Sequence, residues 1–166
     1  MGSTLAEVRL NLPAGSHLAE VDTRFMVDLD AVPVISGPDT LYYLGVPAGE
    51  TLTDASPIRF AITLHEQVRT SEGIGPGVTL KDAVLRCGRA TLRYSVHDEM
   101  REYVSFANCG HRRVTFRVAP TDDSLLAGRY ASDGEYNETD EYDGNARIGM
   151  VMVDLAPILE ATRQPG

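Results

Sequence analysis

Between Ala83 and Ala119 the chain carries its longest run of alternating residues, and this run limits what the rest can fold into. Ala90, Leu92, Tyr94 and Val96 fall on one side of an extended backbone, and Arg89, Thr91, Arg93 and Ser95 on the other. A polar break at His97-Asp98-Glu99 follows. The alternation resumes with Val104 and Phe106 against Tyr103 and Ser105, and returns through Cys109-Gly110-His111 into Val114, Phe116 and Val118, opposite Arg113, Thr115 and Arg117. A period of two with β-branched and aromatic residues is the pattern of strands with one buried face. It predicts a three-stranded antiparallel meander, apolar on one face and lined with arginine on the other.

The flanking sequence extends this pattern. Alternation predicts strands over 5–12, 20–30, 41–46, 58–69 and 146–155, separated by breaks at Pro13-Ala14-Gly15-Ser16, Pro33, Ser36-Gly37-Pro38-Asp39 and Pro47-Ala48-Gly49. Residues 71–77 hold three glycines and Pro76 and are expected to form a loop. Residues 79–85, 122–126 and 156–162 each have room for a short helical turn, and 132–145 for a polar loop. In the last strand Ile148, Met150 and Met152 are assigned to one side and Val151 and Val153 to the other, as in a strand covered on both faces. The expected fold is all-β: an antiparallel β-sandwich or jelly-roll-like barrel of about 8–9 strands with one or two short helices. Residues 1–166 are read as a single domain, since no linker divides them.

Charge narrows the function classes. Twenty-four acidic residues against 15 basic give a net charge of −9, which argues against direct nucleic-acid binding. No stretch of about 18 apolar residues is present, so no membrane-spanning helix is expected, and no secretory signal is visible at Met1-Gly2-Ser3-Thr4-Leu5. Lys81 is the only lysine. Arginine in place of lysine suits fork-shaped contacts to carboxylates, although a compositional bias of the genome gives the same result. Cys87 and Cys109 flank the meander; two cysteines in a chain this long do not make a disulfide scaffold, and buried thiols are expected.

No residue set identifies a reaction. Gly-x-Ser-x-Gly is absent, and Gly73-Ile74-Gly75-Pro76-Gly77 lacks the lysine and hydroxyl residue of a phosphate loop. Cys87, His97, Cys109 and His111 do not have zinc spacing. No metal and no cofactor are expected. Two other classes stay open. The acidic residues between Asp133 and Asp143 have the oxygen ligands for calcium but not the spacing of a known loop, which leaves a calcium- or carbohydrate-binding module. A small β-barrel enzyme would use His65, His97 or His111 as base, and a pocket joining one of them to a carboxylate would favour it.

The leading expectation is a structural subunit of a large assembly, a virion or phage component of capsid, cement (decoration) or tail type. Its partners would be other copies of itself and other subunits, and its location the virion, with the cytoplasm as alternative. The expected interface residues are Arg89, Arg93, Arg113 and Arg117 on the meander, and Asp133, Glu135, Glu138, Asp140, Glu141 and Asp143 on the acidic loop. Like charges on neighbouring strands are unfavourable unless acidic groups meet them, either Asp98, Glu99 and Glu102 within the chain or the acidic loop of another subunit.

Overall fold

The alternation of the meander becomes three strands, β6 (Ala90–Ser95), β7 (Glu102–Phe106) and β8 (Val114–Val118), towards one end of a larger sheet. The structure, a computed structural model, describes residues 4–26, 29–109, 113–121, 124–131 and 134–155. Among these lie seven further strands: β1 (Ser16–Leu18), β2 (Asp22–Met26), β3 (Leu29–Ser36), β4 (Asp39–Pro47), β5 (Phe60–Thr63), β9 (Tyr136–Thr139) and β10 (Ile148–Asp154). The described residues also hold two short helices, α1 (Leu5–Leu10) and α2 (Leu80–Cys87). The chain is therefore all-β and antiparallel, with few helices. Its strands are joined in one continuous order, β1-β3-β4-β5-β10-β8-β7-β6-β9, with β2 also on β3.

Register shows how both cores sit on one face. Thr139, Leu92, Val104, Phe116 and Val151 form one line across β9, β6, β7, β8 and β10. Directly opposed residues in a ladder point the same way, so this line marks the inner face. One step along, Val114, Val153, Ala61 and Leu44 carry the same face through β10 and β5 into β4. At the β6–β8 end, α2 covers it with Leu80, Ala83 and Cys87. At the β3–β4 end, α1 covers it with Leu5 and Val8. One sheet thus holds two apolar clusters side by side, each under a short helix.

Four differences from the sequence reading have local causes. Residues 5–12 are not a strand: Thr4 and Glu7 form a capping box, with the Glu7 N–H donating to Thr4 Oγ1 and the Thr4 N–H to Glu7 Oε2 at 2.9 Å. Leu5 and Val8 then fall on one helical stripe and, with Leu12 just past the C-cap Asn11, pack in the N-terminal cluster. Pro33, read as a break, lies inside β3. Its carbonyl accepts from the Ala19 N–H, so the side of Pro33 that lacks a donor faces the gap between β1 and β2, where no ladder bond is lost.

Within the expected polar loop, residues 136–139 form β9, which pairs with β6. Finally, Gly149 is an extra residue in β10: Ile148 opposes Val118 while Met150 opposes Arg117. This bulge turns Ile148, Val151 and Val153 to the inner face and Met150 to the outer one. A Cβ on Gly149 would stand 3.0 Å from the Ala119 Cβ. Of the expected helical turns, residues 124–126 are not helical, and 156–162 lie outside the described residues.

The cysteines are bridged rather than free. Cys87 closes α2, Cys109 follows β7, and their Cα atoms are 5.1 Å apart across the disulfide. The β6–β7 register explains it. Ala90 opposes Phe106, and the Asn108 N–H bonds to the Cys87 carbonyl, so equal steps outward bring the two thiols together.

Candidate functional site

The outer face of β9, β6, β7, β8 and β10 carries a second line of opposed residues, Glu138–Arg93–Tyr103–Arg117–Met150. It is polar at the β9 end and closes on the buried Met150 at the other. Neither the Arg93 nor the Arg117 side chain makes an ion pair or hydrogen bond with the described residues. Between them, the Tyr103 hydroxyl donates to Asp98 Oδ2 at 2.7 Å. Burial raises the Tyr103 pKa, and the Asp98 hydrogen bond adds to the shift, so the phenol stays a neutral donor.

The other two expected arginines are already engaged. Arg89 Nη1 lies 3.6 Å from Asp140 Oδ2, whose other oxygen accepts from Thr91 Oγ1 at 2.7 Å. Arg113 Nη1 donates to the Asp154 carbonyl at 3.5 Å.

The acidic residues do not gather into one fringe. β9 places Tyr136 and Glu138 on the outer face beside Ser95 and Arg93. Glu135 approaches His97 at 3.5 Å. Asp143 turns back to accept from the Asn145 N–H at 2.9 Å, and Glu141 stands exposed where its carbonyl accepts from the Arg129 N–H. Asp133 lies outside the described residues. One of the charge pairings envisaged between subunits, Arg89 with Asp140, is therefore made within the chain, just past β9. Exposed pairs such as Arg89–Asp140 contribute roughly 0.2–1 kcal/mol each, so they set charge balance more than stability.

The three carboxylates considered as partners for the arginines have other tasks. Asp98 and Glu99 hold Arg101. Glu102 points to the inner face, 3 % exposed, and accepts from the Ala127 and Gly128 N–H groups and the Tyr130 hydroxyl, each at 2.8 Å. Burial first, and the Glu102 hydrogen bond second, raise the Tyr130 pKa well above the ordinary phenol range. Glu102 thereby ties residues 127–130 beneath β7 and holds the back of the outer face rigid.

A groove of about 830 Å³ opens at the top of this face. The 3-10 turn Val96–Asp98 forms one rim and Tyr136, 76 % exposed, contributes to its lining. Arg93, Tyr103, Glu138, His97 and Asp98 line it as well. Of the three candidate bases, His97 thus lies in a groove with carboxylates. His65 is half-buried, with Nδ1 accepting from the Gln67 N–H and Nε2 4.0 Å from Asp39 Oδ2. His111 lies outside the described residues. Among the described residues no three His, Cys, Asp or Glu side chains converge as metal ligands would, and no helix is long and apolar enough to cross a membrane.

Sequence reading passed over Tyr103 and Tyr136 as site residues. Tyr103 was visible as the outward residue between Val104 and Glu102. Tyr136 was hidden by the acidic composition around it, although Tyr136-Asn137-Glu138-Thr139 alternates once it is read as a strand. Comparison with protein families, with curated proteins and with solved structures finds no match to this chain.

Proposed function

We propose that this chain is a structural subunit of a larger protein assembly, joined to its neighbours through the outer face of β9, β6, β7 and β8. The setting we assign is a virion or phage particle, with the chain as a capsid, cement or tail component. The observation that supports the reading is the arrangement of two uncommitted guanidinium groups, Arg93 and Arg117, on either side of Tyr103. Arginine and tyrosine dominate the binding energy of protein interfaces because each joins a broad flat surface to directional donors. The face is a sheet held by ladders and by Glu102 beneath, so little order has to be gained on association.

Sedimentation of the purified chain over a concentration series tests this. Species larger than one chain are expected at low salt. They should shrink as the screening length falls from about 10 Å at 0.1 M to about 3 Å at 1 M. Arg93→Glu should give the same shrinkage at low salt with an unchanged circular dichroism spectrum. A single chain at every concentration would overturn the reading.

The groove favours a second reading, a small enzyme with His97 as base, since it lines one wall with Asp98 and Glu138. Hydrolysis of simple ester or glycoside substrates that disappears in His97→Ala would support it, and no turnover by the parent chain would remove it.

A further inference from the structure

We infer that the surface which this face meets is the same face of a second copy, related by a two-fold axis parallel to the strands and running between β6 and β7. The inference rests on the reading of the outer face as an assembly surface. Two copies each carry a net charge of −9, so overall charge does not draw them together and the attraction has to be local. The line Glu138–Arg93–Tyr103–Arg117 supplies it.

Strands lie about 4.8 Å apart, so Glu138 and Arg117 of one chain, three strands from each other, are separated by about 14 Å and cannot pair within it. Turned over about the axis, the order of the line reverses. Glu138 then faces Arg117 of the second copy, and Arg93 faces Tyr103 of the second copy, and each contact occurs twice. An arginine over a phenol ring is a favourable stack as well as a charge contact. Packed sheets stand about 10 Å apart, which long Arg and Glu side chains from the two faces span together. The next line along the strands opposes Thr91 to Ser105, two small side chains that leave room for that approach. The same reversal explains why Glu138 makes no ion pair among the described residues, on a face where Asp140 is already bound.

The test is a charge exchange. Glu138→Arg alone and Arg117→Glu alone each set like charges against one another twice, and each should weaken the dimer by roughly tenfold or more in sedimentation or light scattering. Mixing the two variants in equal amounts restores both ion pairs. The guanidinium introduced by Glu138→Arg in one chain then meets the carboxylate introduced by Arg117→Glu in the other, and the two unchanged side chains meet as in the parent. The mixture should therefore form a heterodimer with the affinity of the parent, and the chain carrying both changes should also dimerise. Circular dichroism checks that each variant is folded; both positions are on the surface side of β9 and β8. If the parent associates but the mixture stays dissociated, or the single variants associate as the parent does, the two-fold arrangement is overturned and the assembly reading stands. If the parent does not associate, both fall.

Discussion

The two ends of the sheet solve the same problem with unequal means. Near β6–β8, fifteen buried residues among those described form one cluster, α2 is bridged to the chain after β7 by Cys87–Cys109, and Phe106 meets Phe116 edge to face at 5.6 Å. Near β3–β4, six buried residues form the cluster, and the six-residue α1 docks through the Leu5 and Ala6 N–H groups onto the Ser56 and Asp54 carbonyls. The larger cluster lies directly behind the line of Arg93, Tyr103 and Arg117. A surface that must present side chains in fixed register is backed by the better-anchored half, and the half without such a line is capped more lightly.

That contrast can be broken by measurement. Phe116→Ala removes the centre of the larger cluster and should cost about 3–5 kcal/mol in chemical denaturation, against about 2 kcal/mol for Leu5→Ala under α1. Equal losses would end the contrast. Replacing Cys87 and Cys109 together by serine frees a loop spanning 22 residues in sequence, and should cost about 3 kcal/mol. Hydrogen exchange should then quicken in α2 and β6 but not in β3.

Glu102→Gln turns an acceptor oxygen into a donor facing N–H groups and should cost about 1–3 kcal/mol. Alkaline pH probes the same place. Tyr130 has its pKa raised in the folded state, as do Tyr42 and Tyr103. Their stabilising contribution is complete below the unfolded phenol value of about 10 and is lost as pH rises above it. Melting temperature should therefore hold up to about pH 10 and fall beyond, less steeply in Tyr130→Phe. The smallest effect is expected at the other end: Thr4→Ala removes the cap of α1 and should cost about 1 kcal/mol, with faster exchange confined to α1 and its contacts.

The meander was legible because β6 and β7 bury one face completely and β8 nearly so, so that Leu92, Val104 and Phe116 stand out against Arg93, Tyr103 and Arg117. α1 was not, because three apolar residues at 5, 8 and 12 serve a strand count as readily as a helical stripe unless the Thr4–Glu7 pair is weighed. β9 was hidden because Tyr136 and Glu138 stand among the carboxylates of 135–143, and composition alone makes it a loop. The disulfide depends on a hairpin register that alternation implies but does not number. The separation of free arginines from engaged ones was out of reach, since Arg89 pairs with Asp140 just past β9 while Arg93 has Glu138 opposite it and no ion pair.

Gly149 carries a consequence of another kind. It adds one residue to β10 without adding a position to the ladder, so every side chain after it looks the opposite way from where counting from Ile148 would put it. Which surface of the molecule is greasy and which is wet is therefore decided, along this strand, by the bulge and not by amino-acid type. Flatten the bulge with every residue kept, and Val151 and Val153 exchange sides with Met150 and Met152 without a single letter of the strand being altered.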